Sequence, residues 1–143
     1  MGQVSDILEG KGRSVLDVDG SATVLEAITK MVESNVGSLL VFEGDRLAGI
    51  VTERDYLRRV TLEGRDERTT PVREIMSSPI VYATPESSIE ECMAVMTERR
   101  IRHLPVLDEA RQVVGVVSIG DVVKFQSREQ SVQIKFLTEY ISG

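Results

Sequence analysis

At 143 residues, 41% of them hydrophobic and 28% charged, the chain has the makeup of an ordinary globular protein, and a net charge of −6 argues against a surface for phosphate backbones. Arg58-Arg59 and Arg99-Arg100, the nearest basic candidates, both lie among acidic neighbours, so no nucleic-acid partner is expected. One cysteine, Cys92, excludes an internal disulfide; with no bilayer-length apolar run and no secretory start in Met1-Gly2-Gln3-Val4-Ser5-Asp6, the expected compartment is the cytoplasm and no membrane partner is expected.

The first predicted helix opens at Thr23, whose hydroxyl and the Glu26 carboxylate three residues on form a capping box. Val24, Ile28, Met31 and Val32 then recur at helical spacing and predict one apolar face. Two β-rich runs follow, Leu39 to Phe42 and Leu47 to Val51, joined by Glu43-Gly44-Asp45-Arg46, which predicts a hairpin. A second helix is expected from Glu53. After a polar stretch the order repeats: Ser88 and Glu91 make the box, and Ile89, Met93 and Met96 make the stripe. The runs Leu104 to Leu107 and Val113 to Val117 make the strands, and a helix follows from Ile119. Pro105 has no amide hydrogen, so its strand is expected at an edge or with its nitrogen turned from the ladder. Cys92, inside the second capped helix, reads as a packing residue.

The chain is thus a tandem repeat. Thr23 pairs with Ser88, Met31 with Met96, and Leu39-Leu40-Val41 with Leu104-Pro105-Val106, all at an offset of 65. Gly49-Ile50-Val51-Thr52-Glu53-Arg54-Asp55 pairs with Gly115-Val116-Val117-Ser118-Ile119-Gly120-Asp121 at 66, because one extra residue enters the turn at 108–112. The expected organisation is a first repeat at 1–62, a linker at 63–71, a second repeat at 72–128 and a C-terminal helix at 129–143. Each repeat is of a size at which burial alone is marginal, so a shared core is expected.

Two constellations recur. Thr52-x-x-Asp55 and Ser118-x-x-Asp121 each put a hydroxyl at the end of a strand and an acid three residues later. That pattern caps a helix. It also suits a phosphorylated ribose: free amides and a hydroxyl for phosphate, and a carboxylate able to accept from both hydroxyls of a diol. Arg102-His103, just before a strand, offers forked and imidazole donors to phosphate oxygens, whereas the first copy has Gly37-Ser38 there. Arg54, in the place of Gly120, is a basic candidate in the first copy.

The duplicated ending hydrophobic-hydrophobic-Thr/Ser-x-x-Asp, with Arg102-His103-Leu104-Pro105-Val106 and Met76-Ser77-Ser78-Pro79-Ile80, resembles a pair of CBS domains, the Bateman module, in its free-standing two-repeat form. The resemblance implies an α+β fold of tandem repeats, each a small sheet with flanking helices, packed as one module with pseudo-two-fold symmetry. It also implies an adenine nucleotide held in a cleft between the repeats: Asp55 and Asp121 on ribose, Thr52 and Ser118 on phosphate or ribose, Arg102 and His103 on phosphate. Val15 and Ile80 would flank an adenine ring. With Arg54, Pro105 and Gly120 these complete the candidate ligand-binding residues.

Val132, Phe136, Leu137, Tyr140 and Ile141 fall at helical spacing and make an apolar stripe on the C-terminal helix that either closes the module's own core or meets another subunit, with Val4, Ile7 and Leu8 joining the same surface; the resemblance favours a homodimer. No catalytic constellation, metal-ligand cluster or Walker loop is present in the sequence, so a non-enzymatic module is expected, with no cofactor required. The expected function is a regulatory sensor of an adenine nucleotide, AMP first, with ATP, ADP, NAD(H) and S-adenosylmethionine open, signalling occupancy to an unknown regulated protein. The alternative is a ligand-free dimerisation or scaffold module.

Overall fold

Thr23 and Ser88 open their helices as the sequence predicts. In a computed structural model, which describes residues 2–12 and 14–129, the Glu26 amide donates to Thr23 Oγ1 at 3.2 Å and the Thr23 amide to Glu26 Oε1 at 2.8 Å. Ser88 and Glu91 repeat both bonds, at 3.0 and 2.8 Å. Helices α2 (Val24–Ser34) and α4 (Ile89–Arg99) follow and end in left-handed residues, Asn35 and Arg100. Their buried faces are Val24, Ala27 and Met31, and Ile89, Cys92 and Met96. Both sets run i, i+3, i+7, which turns Val32 outward: it is 74% exposed, a correction to the predicted stripe. Met93 is half-buried beside the stripe. Cys92 takes the place of Ala27 in the core, and burial pushes its thiol pKa up, with the Glu91 carboxylate adding to the effect.

Each copy builds a hairpin. β2 (Ser38–Glu43) pairs antiparallel with β3 (Arg46–Thr52), and β4 (His103–Leu107) with β5 (Val113–Ser118). The register shifts fall at equivalent places, Val41/Phe42 and Val106/Leu107. The first copy adds a parallel strand, β1 (Asp17–Asp19), on β2. Its ladder uses the Leu40 amide, which donates to the Leu16 carbonyl. Pro105 stands where Leu40 does and has no such hydrogen, and the second copy keeps only the bridge Ala83↔Val106 in place of a strand. The Pro105 carbonyl accepts from Ala83, so its nitrogen faces that side and leaves the β5 ladder intact.

The packed bodies do not follow the repeat boundaries. One compact unit holds residues 14–81, and the other joins 2–12 to 82–129. In the second, α1 (Val4–Lys11) buries Val4, Ile7 and Leu8, and Leu8 packs against Gly115. These three residues are core, the first of the two roles open to them. In the first, a short 3-10 turn (Val72–Glu74) buries Val72, followed by buried Ile75, and Met76 lies on Gly49. The hydrogen bonds correspond one for one: Val4 and Ser5 amides donate to Ser87 and Pro85 carbonyls, as Val72 and Arg73 amides do to Ala22 and Gly20. Each sheet is therefore covered by the opening segment of the other repeat.

The stretch expected to be a linker is built into the first unit. The Leu25 and Val24 amides, free donors at the start of α2, donate to the Glu67 and Thr70 carbonyls. Thr70 is buried, and the Tyr56 hydroxyl donates to Glu67 Oε1 at 2.6 Å, which raises the Tyr56 pKa. The predicted C-terminal stripe lies outside the described residues.

Candidate functional site

β3 ends at Thr52 and the chain turns into α3 (Glu53–Tyr56), continued by a π-helical turn (Leu57–Thr61). β5 ends at Ser118 and turns into α5 (Ile119–Glu129). Both junctions are capped alike. The Asp55 amide donates to Thr52 Oγ1 at 3.2 Å, and the Thr52 amide to Asp55 Oδ2 at 2.9 Å. The Asp121 amide donates to Ser118 Oγ at 3.1 Å, and the Ser118 amide to Asp121 Oδ2 at 2.8 Å. The first helical amides, of Glu53 and Ile119, donate to the carbonyls of Gly37 and Arg102. Cap and strand thus use the first and third helical amides and one oxygen of each aspartate. Neither uses the second amide, on Arg54 or Gly120, nor Oδ1.

The aspartates differ in what else touches them. Ser77 Oγ donates to Asp55 Oδ1 at a long 3.3 Å, from a segment held to β3 by paired Ile50 and Ser77 backbone bonds. Lys11 Nζ donates to Asp121 Oδ2 at 2.7 Å and to the Val116 carbonyl at 2.9 Å. Burial pushes the Asp121 pKa up, but the Lys11 and Ser118 hydrogen bonds and the Lys11 charge outweigh it, and the carboxyl ends below its usual range.

Each expected site residue falls in one unit or the other. Val15, Thr52, Arg54, Asp55 and Ile80 belong to the first. Thr52 and Asp55 meet in the cap, Arg54 is exposed on α3, and Val15 and Ile80 are half-buried in the segments before β1 and after Ser77. Arg102, His103, Pro105, Ser118, Gly120 and Asp121 belong to the second. His103 stands opposite Ser118 in the β4–β5 register and is half-buried, Arg102 is exposed with its carbonyl on Ile119, Gly120 is exposed, and Pro105 is buried two residues along β4. The first unit puts Ser38 opposite Thr52 in the same register and has Gly37 for Arg102. A side chain at position 37 would meet Glu53 Oε1 within 2.7 Å, so an acid occupies the place where the second copy has a base.

Sequence reasoning missed Ser77 and Lys11. Ser77 lay within a quoted motif, and only the Ile50 bridge brings it to Asp55. Lys11 lies 110 residues from its partner. No spacing rule reaches across that distance.

Two stretches, residues 4–61 and 72–128, match the model of the CBS domain. The CBS domain-containing protein CBSX3, mitochondrial, of Arabidopsis thaliana is 40% identical over 98% of this chain and 72% of its own length. A solved structure of a protein with CBS domains from Burkholderia ambifaria superposes with a TM-score of 0.87 at 47% identity, covering 90% of this chain and 96% of that one. A hexameric CBS-CP12 protein from bloom-forming cyanobacteria gives a TM-score of 0.75 at 33% identity, covering 86% and 70%. Among the described residues no helix is long and apolar enough to cross a membrane. CBS-pair proteins are generally regulatory and ligand-binding rather than catalytic, often bind adenosyl ligands, and form oligomers. Family match and structural likeness together place this chain in the CBS domain family, with two domains in tandem.

Proposed function

We propose that the chain is a regulatory sensor that binds an adenosyl ligand, AMP first among the adenine nucleotides, and signals occupancy to a partner protein. The observation that carries this reading is the division of labour at the two junctions. Capping consumes Oδ2 and the third amide, while Oδ1 and the second amide remain for a ribose hydroxyl and a phosphate oxygen. Cap and ligand grip therefore draw on different atoms of the same residues. At Asp55 a ligand would displace only the long Ser77 contact.

The two grips are unequal in charge. Arg102 and His103 share the second unit with Ser118 and Asp121, while the first unit has Gly37 and Glu53 at the matching place. Phosphorylated ligands accordingly favour the second. Regulation requires a partner that distinguishes the bound from the free state, since a ligand acts only through its differential affinity for two states.

Thermal melting with and without nucleotides tests the reading. A ligand at a hundred times its dissociation constant adds about 2.7 kcal/mol of stability. A flat response to adenosine, AMP, ADP, ATP, NAD and S-adenosylmethionine would leave the scaffold reading, for which the complete capping boxes already supply a structural reason.

A further inference from the structure

Lys124 and Arg128 follow Asp121 on α5 at i+3 and i+7, on one face of the helix. Their side chains line a cavity with Lys11, Asp121, Ile7 and Phe125. Three cations there face a single carboxylate, in a chain whose net charge is −6. Lys11 is engaged by Asp121, while Lys124 and Arg128 are exposed and enter no ion pair among the described residues.

The cavity holds about 70 Å³. Pockets that bury a whole small molecule run to roughly 300–1,000 Å³, so this one takes a group rather than a nucleotide. A tetrahedral anion matches its donors, with a guanidinium fork from Arg128 and point charges from the two lysines.

We propose that this cavity is a phosphate-group site, and that a ligand with more than one phosphate, held at Asp121, places its outer phosphate in it. Lys11 then passes from Asp121 Oδ2 to the phosphate, while the ribose takes Oδ1, which neither the cap nor Lys11 uses. The part played by the ribose rests on the adenosyl-ligand reading given above; the cation set does not. The Asp55 junction offers a neutral Ser77 hydroxyl in place of Lys11, and so takes the less anionic ligand.

The test uses the full chain and two probes. Inorganic phosphate is followed by ³¹P NMR line broadening, and adenosine and ADP by calorimetry, on wild type, the Lys124→Ala/Arg128→Ala variant and Asp121→Ala. Both α5 residues are exposed, so the double variant is expected to melt as wild type does. Wild type should broaden the phosphate resonance and the double variant should not; the variant should bind ADP at least tenfold more weakly, with adenosine changed less than twofold. Equal broadening in both proteins, or parallel losses for ADP and adenosine, would overturn the site. Phosphate broadening that depends on Lys124 and Arg128, without any adenosine binding, keeps the phosphate site and removes the adenosyl reading. Adenosine binding that depends on Asp121, without phosphate broadening, does the reverse.

Discussion

Leu8 rests on Gly115: a β-carbon at that glycine would come within 2.7 Å of Leu8 Cδ2. Leu8 is 1% exposed and cannot swing away, so helix α1 approaches β5 as closely as it does only because residue 115 has no side chain. Met76 and Gly49 make the same contact in the other unit, where the Ser77 carbonyl also lies 2.8 Å from the missing β-carbon.

Gly115→Ala should therefore cost about 1–3 kcal/mol of stability, the usual range for overpacking a filled core. Gly49→Ala should cost at least as much, because the Ser77 carbonyl accepts from the Ile50 amide and cannot retreat without breaking that bond. Urea denaturation of both variants checks this. Unchanged midpoints would show that the glycines are not packing positions.

Asp121 is the expected ribose acceptor in the second unit. Asp121→Ala should weaken nucleotide binding there by about 1.5–3 kcal/mol, the range for hydrogen bonds to a charged group. A 2′-deoxy nucleotide should bind wild type more weakly than its ribo form and lose little further in the variant. Equal binding of the ribo and deoxy forms by wild type would exclude the ribose grip.

Arg102 is expected to meet a phosphate. Arg102→Ala should reduce AMP affinity about tenfold, or 1.4 kcal/mol, and leave adenosine nearly unchanged. Calorimetry with both ligands separates the cases, and parallel losses would mean that Arg102 supports the sugar site or the strand instead.

Asp121 also sets an acid dependence. Burial raises its pKa, but Lys11 and Ser118 bring it below the usual range, so the folded value lies under the unfolded one. Such a group stabilises the fold above the unfolded pKa of about 3.9, and the contribution is lost as pH falls from there through the folded value. Lys11→Met removes the pairing, so the Asp121 midpoint should rise and less stability should be lost on acidification. Carboxyl carbon shifts followed against pH report this directly, and an unmoved Asp121 midpoint in the variant would refute it.

Much of this architecture was legible in local spacing. The boxes at Thr23, Thr52, Ser88 and Ser118 depend on residues three apart, and both hairpins on runs separated by a turn, so each is written within a dozen residues. The site was legible to the same extent: Thr52 with Asp55 and Ser118 with Asp121 are neighbours by spacing alone. What escaped is non-local. Val4, Ile7 and Leu8 left core closure and a subunit contact equally open, because nothing in their own helix says which sheet they cover. Ser77 and Lys11 reach the aspartates only through the fold. Residues 63–71 read as a polar tether because their backbone carbonyls, not their side chains, satisfy the start of α2.

Assembly is the remaining expectation. A homodimer remains the proposal for this chain, although the related CBS-CP12 protein is hexameric. Analytical ultracentrifugation at tens of micromolar should give a dimer, and removal of the chain from Val132 onward should shift it towards monomer. A monomeric or hexameric full-length protein would contradict the proposal.

The exchange of opening segments means that the duplicated stretch and the packed body are out of phase. A fragment cut at the repeat boundary, residues 1–62, would carry α1 without the sheet it covers and a sheet without Val72, Ile75 and Met76 to cover it. Residues 14–81 contain a sheet together with its own cover, and that is the piece to excise if half of this protein is to be studied alone. Lineages that copy or shuffle this sequence one repeat at a time would meet the same difficulty: a solitary repeat carries its own opening segment but lacks the one that covers its sheet.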